Sequence, residues 1–166
     1  MKRKTKRIAT LGICTALALV FAYVEALLPP LFTAIPGIKL GLPNIVVIFV
    51  LYRYGVCSAF AVSLVRVAAV SLLFGNPVTF AYSASGAVLS LLVMALLRRI
   101  DLFSVTGVSV AGGVFHNVGQ ILMAIVLLGT AELGYYLAVL ALSGTVSGIF
   151  VGVCGALAHK KLPEFS

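Results

Sequence analysis

The sequence predicts an all-α integral membrane protein: six transmembrane helices in one bundle, with both termini cytoplasmic. Three observations carry this. Of the 166 residues, 62% are hydrophobic and 10% charged, and mean hydropathy is +1.21; soluble domains typically have about a quarter of their residues charged. The apolar residues fall into six runs separated by short breaks. Ten of the 12 Lys and Arg residues lie where cytoplasmic span ends would fall, and such a bias sets orientation.

A helix needs about 20 residues to cross ~30 Å of hydrocarbon. The first span is Ile8–Leu28, behind the basic segment Lys2, Arg3, Lys4, Lys6 and Arg7. This basic-then-apolar start could pass for a signal peptide, but the run is long and carries Glu25, so it reads as a retained span. The second span, Leu40–Tyr54, is short, with Pro43 near its start, where proline does least harm. Reading it as re-entrant would put Arg98, Arg99, Lys160 and Lys161 outside, so the charges favour a crossing. Val56–Phe74, Val78–Leu97, Ser104–Leu128 and Leu133–Ala158 complete the six. Residues 1–7 form a basic cytoplasmic N-terminus, 8–158 the membrane domain and 159–166 a cytoplasmic tail. The longest outer loop runs from Pro29 to Lys39; the others are Gly75-Asn76-Pro77 and Gly129–Glu132.

The net charge of +8 points to anionic lipid rather than nucleic acid, because five positive charges precede the first apolar run. Cys14, Cys57 and Cys154 lie in apolar runs without CxxC spacing, and read as small apolar residues. Gly144, Gly148, Gly152 and Ala156 form a stripe at i+4 spacing in the last span; Gly12, Ala16, Ala18, Ala22 and Ala26 line the first. Such residues let helices approach closely in lipid, within the bundle or against a partner.

Lys39 and Arg66 are the two basic residues that orientation does not explain, and so the first candidates for function. Polar groups in hydrocarbon usually face the bundle interior or an aqueous cavity. Arg66 and Gln120 each sit eight residues from the outer end of their spans, roughly 12 Å deep. His116 is one turn deeper on the face of Gln120, beside Asn117. Glu25, Asn44, Asn76, Thr79, Tyr82, Ser83 and Ser85 also fall in the outer half, as do Glu132, Tyr135 and Tyr136, the two tyrosines reading as interface anchors. The construction is a polar cavity open to the outside and closed toward the cytoplasm. A structural alternative stands beside it: Arg66 pairs with Glu25 or bonds helix carbonyls. Soluble-enzyme chemistry is nearly excluded. The single Asp, Asp101, lies on the cytoplasmic side, and there is no phosphate-binding glycine loop and no metal-ligand spacing.

Several strings carry a resemblance: Tyr23-Val24-Glu25 followed by Pro29-Pro30; Pro36-Gly37-Ile38-Lys39-Leu40-Gly41-Leu42-Pro43-Asn44; Ser63-Leu64-Val65-Arg66; Leu73-Phe74-Gly75; Tyr82-Ser83-Ala84-Ser85-Gly86; and Gly113-Val114-Phe115-His116-Asn117-Val118-Gly119-Gln120. From about Ile8 to Ala158 the chain resembles a family of small bacterial membrane proteins known both as heptaprenyl diphosphate synthase component I and as the Gx transporter family, which usually has Ala where Pro43 stands. That family is similar to the substrate-binding S components of energy-coupling factor (ECF) vitamin transporters, six-helix proteins of the cell membrane with an outward-facing site lidded by the loop after the first helix. The resemblance implies docking of the first helix, through Gly12, Ala16, Ala18, Ala22 and Ala26, on a coupling subunit with its ATPases.

The reading is a substrate-capture subunit for a small molecule with an anionic part. Its binding residues are Glu25, Lys39, Asn44, Arg66, Tyr82, Ser83, His116, Asn117 and Gln120, with no catalytic residue, metal or cofactor. The runner-up is a non-catalytic membrane accessory of polyprenyl diphosphate or quinone synthesis, partnered by a soluble prenyl diphosphate synthase subunit. One Asp cannot supply that enzyme's aspartate-rich magnesium motifs. A third reading is a purely structural membrane partner.

Overall fold

A computed structural model describes residues 2–27, 40–100 and 102–161. Lys39 and Asp101, and with them the proline-bearing first loop, lie outside the described residues. The elements are α1 (Lys2–Leu27), α2 (Leu42–Tyr54), α3 (Val56–Phe74), α4 (Pro77–Ile100), α5 (Val105–Leu128), a 3-10 turn (Ala131–Tyr136) and α6 (Leu137–Lys161). Among the described residues, five helices are long and apolar enough to cross a membrane. At 13 residues, α2 is only ~20 Å long.

Local chemistry explains the boundaries. Asn76 precedes Pro77, and its Oδ1 accepts from Thr79 N at 2.8 Å and Thr79 Oγ1 at 3.0 Å, an N-cap followed by a proline at the first helical position. Ser104 Oγ caps α5 by accepting from Gly107 N at 3.1 Å. The sixth apolar run was expected to be helical from Leu133. The α-helix begins at Leu137 instead, after a 3-10 turn: Gly129, at φ 66°, closes α5, and the chain re-enters the bundle through one tighter turn.

The helices close a circuit. α1 packs on α2, α2 on α6, α6 on α5, α5 on α4, α4 on α3 and α3 on α1; α2 also touches α3. The α5–α6 seam is the closest. A Cβ on Gly144, Gly148 or Gly152 would lie 2.7 Å from Gly113 O, 2.6 Å from Val110 Cα or 2.6 Å from Thr106 Cα. The glycine stripe of the last span therefore packs inside its own bundle. α4 and α5 approach similarly, and Ser85 Oγ and Ser90 Oγ on α4 donate to Gly119 O at 3.0 Å and Gly112 O at 2.8 Å on α5.

α2 is the interior element. Val46 to Leu51 are all buried, as befits a helix apolar on every side. Both of its ends are held by charge. Before its first turn, Gly41 adopts a left-handed φ of 75° and donates its N–H to Glu25 Oε1 of α1 at 2.5 Å. At the other end, Arg7 of α1 donates to Tyr54 O at 3.0 Å and to Ser58 Oγ at 2.9 Å. Arg98 of α4 donates to Leu51 O and, at 3.3 Å, to Tyr52 O, with its guanidinium 5.1 Å from the Tyr52 ring centre. Acid at a helix start and base at its end complement the helix dipole. Basic residues read only as topology signals thus cap the carbonyls of α2.

The first-helix stripe divides. Ala18 is 0% exposed within the core, and Ala22 and Ala26 line an internal cavity. Gly12 and Ala16 remain exposed. Ala18 thus packs inward, while Gly12, Ala16 and Ala26 are exposed, the first two alongside Ile8, Ile13, Leu17 and Val20 on the outer surface.

Candidate ligand cavity

At the end of the bundle marked by the start of α2, opposite Arg7 and Arg98, the helices enclose a cavity of about 140 Å³. Every helix contributes. α1 supplies Ala22, Glu25 and Ala26; Gly41, Pro43 and Asn44 come from the start of α2. Arg66, Val67, Val70 and Ser71 come from α3, and Ser83 from α4. α5 gives Gly113, His116, Asn117 and Gln120; α6 gives Ser143 and Ser147. Toward the basic end lies a void of about 20 Å³, which shares Asn44, Gly113 and Ser147 with the cavity and is walled by Ile48, Met94 and Val151. That is space for about one water.

Helical periodicity explains the convergence. On α5, Gly113, His116, Asn117 and Gln120 are spaced i, i+3, i+4, i+7, one face of a helix. On α3, Arg66 and Val70 are one turn apart, as are Val67 and Ser71. The α5 face is also fastened from within, because Asn117, buried, donates Nδ2 to Leu140 O of α6 at 2.6 Å. Its amide therefore positions the α5–α6 seam as well as lining the cavity.

Arg66 is the one formal cation among the described lining residues, and Glu25 the one anion. Glu25 lies within electrostatic reach of Arg66, but its hydrogen bond goes to Gly41 N. The Nε of Arg66 is buried without a hydrogen-bond partner among the described residues. Toward Glu25, Arg66 has electrostatic attraction but no hydrogen bond.

Of the nine residues expected to bind, the structure brings seven to the cavity: Glu25, Asn44, Arg66, Ser83, His116, Asn117 and Gln120. Lys39 lies outside the described residues, and Tyr82 is on α4 beside the lining residue Ser83 but does not line the cavity. Asn76 and Thr79, expected in the polar outer half, are occupied in capping α4. Sequence reasoning missed Ser71, Ser143 and Ser147. The signal was available on α6: once Gly144 and Gly148 face α5, the residues one position earlier, Ser143 and Ser147, share a neighbouring face one turn apart.

Packed apolar helices around a small cavity with one guanidinium and one carboxylate define a helical membrane protein with an internal polar site. The chain belongs to the heptaprenyl diphosphate synthase component I family, which matches it over residues 14–158. It is the family suggested by the strings between Tyr23 and Gln120. Neither a curated protein nor a solved structure matches the chain.

Proposed function

We propose that this chain is the membrane-embedded substrate-binding subunit of a small-molecule uptake system, resembling the S components of ECF transporters. It crosses the bacterial cell membrane six times, with α2 and the segment before it making the short crossing. The basic end faces the cytoplasm, so the cavity faces outward. The carrying observation is Arg66. A charge at this depth costs several kcal/mol unless compensated, and among the described residues Arg66 has the attraction of Glu25 but a buried Nε without a hydrogen-bond partner. An anionic group on the ligand supplies the partner. Asn44, Asn117, His116 and Gln120 orient the ligand. Transport is driven by partner ATPases engaged through the exposed end of α1.

A second reading follows the family's name, in which the chain holds an isoprenoid for a partner synthase component. A shallow apolar groove of about 320 Å³ between α4 and α5, lined by Val88, Leu89, Leu92, Leu122, Met123 and Val126, favours it. The internal cavity does not: a 150 Å³ cavity accommodates benzene, and seven isoprene units need several times that space.

Native mass spectrometry of the full chain released from its own membranes separates the two. A small ligand retained by the wild type and lost from Arg66→Gln, with the melting temperature kept or raised, supports capture in the cavity. A small ligand kept by Arg66→Gln, or a prenyl lipid and a synthase subunit copurifying in place of ATPases, refutes it.

A further inference from the structure

Resting on the reading of the cavity as a ligand site, the charges and size of that cavity narrow what it takes. We infer that the ligand is a compact zwitterion, carrying an anionic group and a protonated amine within about ten non-hydrogen atoms.

Three observations lead there. The first is charge balance. The described lining holds one guanidinium and one carboxylate, Arg66 and Glu25. A purely anionic ligand would neutralise Arg66 and leave Glu25 as an uncompensated carboxylate beside it, in surroundings where unpaired charge is expensive. A ligand bearing both charges supplies a partner to each of these two groups.

The second is bonding capacity. An ionised carboxylate has about four acceptor positions. Among the described residues Glu25 uses one, at Oε1 toward Gly41 N. Glu25 is thus oriented by the backbone yet keeps acceptor sites for an ammonium. Arg66, with a buried Nε unbonded among the described residues, offers the complementary donors. The two groups attract each other with no hydrogen bond joining them. Opposite charges lining one cavity, each with bonding capacity left over, form a template for a molecule that carries both charges.

The third is size. About 140 Å³ is close to the volume that admits benzene, which suits an occupant with the dimensions of a small amino acid.

The test uses the full chain in nanodiscs, with binding followed by thermal shift and calorimetry against matched probes: 4-aminobutyrate, butyrate and butylamine, with alanine, propionate and ethylamine as a shorter set. Wild-type protein is expected to prefer a zwitterion of one set over its carboxylate and amine counterparts roughly tenfold or more, the scale of one charge-assisted hydrogen bond. Glu25→Gln keeps an oxygen to accept from Gly41 N, so the fold survives. It should erase the preference over the carboxylate, while Arg66→Gln should erase the preference over the amine. If carboxylates bind as well as zwitterions, and equally well to Glu25→Gln, the zwitterion inference is overturned while an anion site at Arg66 stands. If no probe of either set binds the wild type, the zwitterion inference falls, and loss of the native ligand from Arg66→Gln remains the separate measure of the site itself.

Discussion

Replacing Gly144 by Ala tests whether the α5–α6 seam sets the shape of the cavity. The new Cβ would stand 2.7 Å from Gly113 O, 2.8 Å from Gly113 C and 2.9 Å from Val114 N. Ordinary contact begins at 3.4 Å, so the helices must part by about 0.7 Å. All three obstructing atoms are backbone, so no side chain can swing aside. Overpacking of this kind costs about 1–3 kcal/mol, against a gain of about 1 kcal/mol from Gly to Ala in a helix. The net loss is on the order of 0–2 kcal/mol, up to roughly 8 °C in melting temperature for a chain of this size. Gly113 lines the cavity, and the bond from Asn117 to Leu140 O, already 2.6 Å, lies one turn along the same seam. Ligand affinity should therefore fall along with stability. The control is Gly12→Ala, where nothing lies within 4 Å of the added carbon; it should be neutral or raise stability by about 0.5–1 kcal/mol. The assay is thermal unfolding of both variants in the same detergent, with ligand binding measured on the folded fraction. Equal melting temperatures for Gly144→Ala and Gly12→Ala would refute the reasoning.

Further outcomes follow from the same geometry. Arg98→Ala strips two carbonyls at the end of α2 of their donor and should cost about 2–3 kcal/mol; Arg98→Lys should recover only part, because an ammonium cannot span Leu51 O and Tyr52 O as a planar fork does, and equal melting of Arg98→Ala and wild type would contradict this. Ala18→Leu should destabilise the bundle by about 1–3 kcal/mol, whereas Ala16→Leu should leave folding intact and abolish copurification with a coupling subunit; retention of the partner by folded Ala16→Leu would remove this face from the docking surface. In a background lacking the native cysteines, Lys39→Cys should be labelled by a membrane-impermeant maleimide added outside intact cells, and labelling only from the cytoplasmic side would overturn the orientation.

Much of the architecture was legible because membrane helices follow simple rules. Apolar length and the basic residues at Arg53, Arg98 and Lys160 marked the helix ends to within about four residues, except that α1 begins at Lys2 rather than Ile8. The glycine stripe at Gly144 marked the closest seam. The cavity was legible through depth: Arg66, His116 and Gln120 could be placed from their distance to the span ends. What depth could not give was azimuth. Tyr82 and Ser83 have the same depth, yet one residue of rotation puts Ser83 at the cavity and Tyr82 beside it. Ala16 and Ala18 belong to one small-residue pattern, yet lie about 200° apart around α1, so one is exposed and the other buried. Capping was hidden as well. Arg7 and Arg98 obey the positive-inside rule whether or not they bond a carbonyl, so their contact with α2 had no separate signature.

That contact bears on how α1 and α2 work together. α1 holds α2 at both ends, through Glu25 at the N–H of Gly41 and through Arg7 at the carbonyl of Tyr54. The signs match the helix dipole in both places, so the two helices are tied as an antiparallel unit rather than packed by apolar contact alone. Glu25 also lines the cavity beside Arg66. The carboxylate that fixes the start of α2 is thus the one positioned to meet a ligand. A ligand that draws on Glu25 acts on the joint between α1 and α2, and α1 is the helix whose outer face, from Ile8 to Val20, lies bare. Glu25→Gln retains the bond to Gly41 but removes the charge, so it separates the structural part of this joint from the part a ligand can use.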